Sequence, residues 1–338
     1  MVGIVVIHSN LGLNLPVESG AKIASDITSF ISFCAGAAVP IFFVLSGFLF
    51  FRGVKCLTAE IYINKILHRT STLLIPYLIW NGIAGVLFII KTLLLGFDGY
   101  NIVKGSNIDW LAWIQGFWAM PGNNESFPFA FAFWFIRNLI IFVIFAPVAR
   151  LLVVKWYIYA SFMCLCIFFR SYIPYYLVGV QWFVTGAALA KTVSYIRYAD
   201  RKMNTFVVEM AVFVWIIASA MVYFVQFDWI KGILSFIRCS AYAVCFWQLA
   251  LRCSKWEDYP IMKNLINSVF WVYAFHQLFC TVTGKFCMVL TGTDGFIPVF
   301  LCYLLKFFIL YGISYLTWRI AIKISPNIVR IATGGRGS

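Results

Sequence analysis

An all-α, polytopic membrane helix bundle of about ten transmembrane segments is the fold this sequence predicts, and three observations predict it. Of 338 residues, 63% are hydrophobic, where a soluble domain carries about 45–50%. Charged residues make up 11%, against about 25% in a soluble chain. The apolar residues gather in runs that approach the roughly 20 residues needed to cross ~30 Å of hydrocarbon. Together these exclude a soluble globular protein.

The first run, 1–13, is short. It has no basic stretch ahead of it and no small-residue cleavage site, so it reads as part of a first span and not as a secretory signal. Nine further segments follow at 33–51, 72–96, 131–149, 153–170, 173–190, 205–226, 232–251, 262–289 and 297–318. Pro174 in a very short connection makes the pair 153–170 and 173–190 a tight hairpin. The chain 1–338 reads as one integral-membrane domain, with a short basic tail from Arg319 onward. No sequence repeat relates its two halves, which weakens the inverted-repeat architecture of many transporters.

Twenty-six basic against 12 acidic side chains give a formal net charge of +14. The bases are scattered singly between apolar runs, so a nucleic-acid surface is excluded. With the amino terminus in the cytoplasm and alternating spans, 17 of the 26 bases fall in inner connections, which is the positive-inside bias. Both termini are then expected in the cytoplasm. Residues 97–130 form an outer loop too long for a turn. Within it the Trp-rich stretch 107–118 is amphipathic and too short to span, so it is expected to lie in the interface as a helix. Trp110, Trp113 and Trp118 there read either as headgroup anchors or as flat faces on which a sugar ring rests.

Ionisable groups at membrane depth are costly, at least ~2.5–3.5 kcal/mol for a charge near the centre, and each is a functional candidate. They are His8, Arg137, Glu209, Arg238, His276 and Lys306, with Arg52 and Arg69 near inner span ends. Lys306 can snorkel toward the headgroups. A neutral imidazole is the cheapest strong base to bury, which favours His8 and His276. His68 lies among basic residues of an inner loop, where a solvated role suffices. The ten cysteines sit mostly in apolar runs with no C-x-x-C pair, which argues against a disulfide framework or zinc site. No carboxylate accompanies the histidines at ligand spacing, and no metal is expected. The Ser46-Gly47 step interrupts a run of large apolar residues. Small residues admit either a neighbouring helix or a ligand.

Five stretches carry a resemblance: Ile7-His8-Ser9, the run from Pro40 to Phe48 with its Ser46-Gly47 step, the run from Arg69 to Asn81, Phe133 to Arg137, and Val272 to His276. In this combination and order the chain resembles the bacterial acyltransferase family 3 membrane proteins over nearly its whole length. The resemblance implies a multi-pass enzyme of the bacterial inner (cell) membrane. It would move an acetyl or other short acyl group from cytoplasmic acyl-CoA, a donor substrate and not a resident cofactor, to a hydroxyl of a surface or exported carbohydrate.

Residue by residue, the resemblance implies that His8 is the essential histidine and that Ser46-Gly47 is the family's small pair. Arg69 matches the first basic position of an R-x-x-R element whose second position here is Thr72, and Arg137 matches the arginine of an aromatic-rich span. The match at His276 assigns it no role. The family's arginine eleven positions before the histidine would fall ahead of Met1, so the first span is expected to lack its cytoplasmic half. Phosphates suit bidentate arginines, which makes Arg69 and Arg52 the donor-binding candidates with Ser46 and Gly47, although topology alone also explains basic residues there. His8 is expected to act as general base, with Arg137 or Ser46 at the developing oxyanion. The expected partners are acyl-CoA, a glycan or lipid-linked sugar acceptor and membrane lipid. A carbohydrate or lipid transporter without acyl transfer is the competing reading.

Overall fold

The computed structural model describes residues 1–12, 20–96, 102–104, 107–120, 127–192 and 203–336. It is an all-α bundle. Its only sheet among the described residues is an antiparallel two-residue ladder, β1 (Val103–Lys104) with β2 (Asn107–Ile108). Six helical stretches are long and apolar enough to cross a membrane, and a bent pair makes a seventh if it is one span.

Helix α1 (Val2–Ser9) leads to α2 (Gly20–Ala35) and α3 (Ala38–Phe51). The last two form one 32-residue stretch from Gly20 to Phe51, which starts well before the expected boundary at 33. Helix α3 stops where Arg52 turns extended and Gly53 takes φ +75°. The next helix, α4 (Ala59–Arg69), is capped by the Thr58 hydroxyl, which accepts from the Ile61 N–H. It buries no residue fully and so lies on the outside of the bundle.

A π-turn, Thr70–Leu74, joins α4 to α5 (Ile75–Leu95). Pro76 has no N–H for the Thr72 carbonyl one turn back, and the local change of register accommodates that loss. Gly96, left-handed at φ +63°, ends α5.

In the long connection the expected interfacial helix shrinks to α6 (Trp110–Gln115), capped by Asp109 accepting from Ala112. Residues 121–126, within the same loop, lie outside the described residues. The next span is α7 (Trp134–Ile144) and α8 (Ala146–Leu152), bent by 71° at Phe145. Pro147 at that junction cannot donate to the preceding turn.

The expected spans 153–170 and 173–190 are shorter than the sequence suggested. Helix α9 is Trp156–Phe168, 13 residues, and α10 is Val180–Lys191, 12 residues. At 1.5 Å per residue neither covers ~30 Å. Pro174 and the left-handed Gly179, φ +97°, keep 173–179 out of the α-helix.

Four long helices complete the bundle: α11 (Thr205–Phe224), α12 (Asp228–Cys253), α13 (Pro260–Thr291) and α14 (Phe296–Ile324). A last short helix, α15 (Pro326–Ala332), folds back onto α5.

The core is aromatic, with Phe43, Phe50, Phe51, Phe133 and Phe183 almost wholly buried. Two glycines set its tightest crossing. A Cβ on Gly47 would lie 2.1 Å from the Phe183 carbonyl oxygen, and one on Gly186 would lie 2.1 Å from that of Val44. Helices α3 and α10 therefore touch backbone to backbone, as small residues permit.

Candidate active site

Helices distant in sequence meet at α1. Helix α1 packs against α13 and α14, with Val5, Val272 and Leu310 forming a buried contact between the three. One turn beyond Val5, His8 projects beside His276 of α13, the ring centroids 5.2 Å apart and tilted by 51°. The Phe131 ring meets His8 in a T-shaped arrangement, centroids 6.1 Å apart.

His276 is fully buried. Its Nδ1 lies 2.9 Å from the Val272 carbonyl oxygen. A carbonyl only accepts, so in the neutral ring Nδ1 carries the proton and Nε2 is left as an acceptor. That Nε2 is buried with no hydrogen-bond partner. An unmet acceptor beside a second imidazole is an arrangement that a hydroxyl from outside the protein would complete. His8 is half-buried.

Polar side chains hold the walls. The Ala130 N–H donates to Asn81 Oδ1 at 3.0 Å, and the Ala132 N–H donates to Gln277 Oε1 at 2.9 Å. The Tyr273 hydroxyl donates to the Ala132 carbonyl. These bonds pin the turn that carries Phe131. Lys306 of α14 does not snorkel: it is buried, and its Nζ donates to the Asn10 carbonyl at 3.1 Å. The carbonyls left open at the end of α1 give the ammonium a partner where lipid would give none. The Cys280 thiol donates to the His8 carbonyl at 3.2 Å, so both late helices grip the end of α1.

Of the other expected residues, Arg137 connects to the pair through rings: its guanidinium lies over Tyr175, which packs on Phe127, and Phe127 packs on Phe131. Arg137 is buried and already engaged. Its guanidinium donates to the Trp118 carbonyl and to Asn138 Oδ1, and it lies over the rings of Trp118 and Tyr175. It ties the long connection between α5 and α7 to α7. Gly47 is spent on the contact with α10, and Ser46 precedes it on the same helix.

Trp110 is exposed and meets Trp113 in a T-shaped contact, ring centroids 6.1 Å apart. Trp113 packs inward, where a Cβ on Gly85 would come within 2.8 Å of its indole Nε1. Arg52 is exposed at the end of α3.

Arg69 lines a cleft of about 570 Å³ together with His68, Thr72, Arg330 and Arg336, and neither Arg52 nor Ser46-Gly47 reaches it. A second cavity, about 350 Å³, opens among α3, α9 and α12 with Arg170 and Arg238 in its wall.

Sequence reasoning left His276 without a role. Its signal was present in the scarcity of histidines, three in all, but only the fold brings positions 8 and 276 together.

No curated protein and no solved structure matches the chain. A family model described as an acyltransferase domain matches residues 1–319, nearly all of it. The paired imidazoles inside a polytopic bundle thus belong to a membrane acyltransferase, and the chain is a member of acyltransferase family 3.

Proposed function

We propose that the protein transfers an acetyl or other short acyl group from acyl-CoA, entering from the cytoplasmic side, to a hydroxyl of a surface or exported carbohydrate, in the bacterial inner membrane with both termini cytoplasmic. The observation that carries this is the His8–His276 pair, two imidazoles 5.2 Å apart with one acceptor nitrogen unmet. A thioester is already activated, whereas a sugar hydroxyl is a poor nucleophile, so the protein must supply a base.

In this reading His8 takes the hydroxyl proton as the alcohol oxygen attacks the thioester carbonyl. The new C–O bond forms, the C–S bond breaks, and the departing thiolate recovers the proton from the imidazolium of His8. His276, through Nε2, accepts from a neighbouring hydroxyl of the same sugar and so orients the reacting one toward His8. Its own Nδ1–H to Val272 fixes the ring. Exposed Trp110 stands as the sugar-stacking candidate, and Arg69 faces the donor.

The test is transfer of label from acetyl-CoA to candidate glycans by membranes holding equal amounts of native protein and His8→Ala. The variant should lose about 10²–10⁴-fold in rate, the usual worth of general-base help. Retained transfer removes His8 from this role. A native protein that consumes no acyl-CoA overturns the donor assignment altogether.

A further inference from the structure

The segment after α14 is built into the bundle. Helix α15 turns back against α5, and the indole N–H of Trp80 donates to the Ala332 carbonyl at 2.9 Å. Gly334 then lies on the backbone of the π-turn: a Cβ there would come within 2.5 Å of the Thr72 carbonyl oxygen and 2.8 Å of its Cα. With φ at +62°, that position suits glycine on both counts. The Gly335 N–H donates to the Arg330 carbonyl at 2.7 Å and closes the tail into a loop. Arg336 is carried over the Phe270 ring, 5.1 Å from its centroid.

The result is three guanidinium groups, Arg69, Arg330 and Arg336, around one cleft with His68 beside them. None of the three has an acidic partner among the described residues. Topological bias accounts for basic residues on this side of a membrane. It does not account for a glycine contact that draws two tail arginines to a third 240 residues or more earlier. Like charges gathered without a counter-charge repel. Partial desolvation and the charge of Arg69 accordingly press the Arg336 guanidinium below its ordinary value. A dianion seated between them removes that cost, and the fork geometry of arginine suits phosphate oxygens.

We propose that the tail completes a phosphate-ester site, in which Arg330 and Arg336 join Arg69 in holding the phosphates of the acyl donor's nucleotide. Phe270, under Arg336, lies six residues before His276 on α13. That is ~9 Å along the helix, which leaves the flexible arm of the donor to cover the remainder to the imidazole pair. The inference rests on the acyl-CoA reading for the identity of the ligand. Anionic lipid headgroups carry the same chemistry, and the experiment separates the two sources.

Full-length protein in discs of zwitterionic lipid is titrated with coenzyme A and with S-acetylpantetheine, which lacks every phosphate. Arg330→Gln and Arg336→Gln should each weaken coenzyme A about ten-fold, so that its advantage over the phosphate-free donor shrinks. Lys263→Gln, an equal loss of charge on an exposed residue outside the cleft, should not do so. Gly334→Val retains all three cations but undocks the tail, and should behave like the arginine variants. An unchanged gel-filtration profile shows that each variant is folded.

In discs containing phosphatidylglycerol, retained lipid is counted by native mass spectrometry. Lipid lost from the two arginine variants with coenzyme A affinity unchanged keeps the phosphate site and assigns it to lipid. Variants that match Lys263→Gln in both measurements overturn the site. If native protein binds no coenzyme A, the donor reading fails by itself, and the lipid arm still decides the cleft.

Discussion

At the level of single residues, the unusual feature is a fully buried acceptor nitrogen without a partner. Leaving such a group unmet costs about 1–3 kcal/mol, and the proposed function gives Nε2 of His276 a partner in the acceptor. His276→Ala should lower kcat by about ten- to a hundred-fold while leaving the acyl-CoA KM in place, because the ring orients the alcohol and does not hold the donor. If the two imidazoles act as a unit, His8→Ala combined with His276→Ala should be no slower than His8→Ala alone. Additive losses in the steady-state rates would show that they work independently. Arg137 invites the opposite treatment. With its guanidinium committed to Trp118 and Asn138, it holds the connection between α5 and α7 against the bundle.

Among the elements, the crossing of α3 and α10 depends most on two missing side chains. Gly47→Ala would force a methyl group to within 2.1 Å of the Phe183 carbonyl oxygen, and backbone cannot yield as a flexible side chain does. Overpacking of this kind costs roughly 1–3 kcal/mol. The variant should therefore melt several degrees lower in detergent, with Gly186→Ala showing a similar loss. A melting curve superimposable on that of the native protein would contradict the contact. This accounts for Gly47 of the Ser46-Gly47 step. A small pair in a greasy run reads equally well as a ligand site or as a close approach, and only the position of α10 separates the two.

For the molecule as a whole, the sequence made the all-α bundle plain, because lipid-facing and core-facing positions are both apolar and the runs stand out against sparse charge. It was less informative about where helices stop. The stretch 20–32 is helical although Ser25, Asp26, Thr28 and Ser29 dilute its hydropathy. The segment 173–179 is apolar yet not α-helical, since Pro174 and Gly179 govern its backbone. The site was half readable. His8 stood out as an imidazole among aliphatic neighbours, but its companion is 268 positions away and nothing local announces the pairing. The arginines of the tail passed for ordinary topology charges because their approach to Arg69 depends on a glycine whose neighbour, Thr72, is likewise remote in the chain.

The grip of α13 and α14 on the end of α1 also bears on biosynthesis. Helix α1, which carries His8, is synthesised more than 260 residues ahead of the groups that meet its end, His276, Cys280 and Lys306. On the proposed role of His8, activity should arrive only once α13 and α14 are in place. Cutting the gene after Glu257, in the short turn before α13, tests this. The leading fragment alone should be inert, and co-expression with the trailing piece should restore labelling of the glycan. Activity in the leading fragment by itself would mean that His8 needs no late companions.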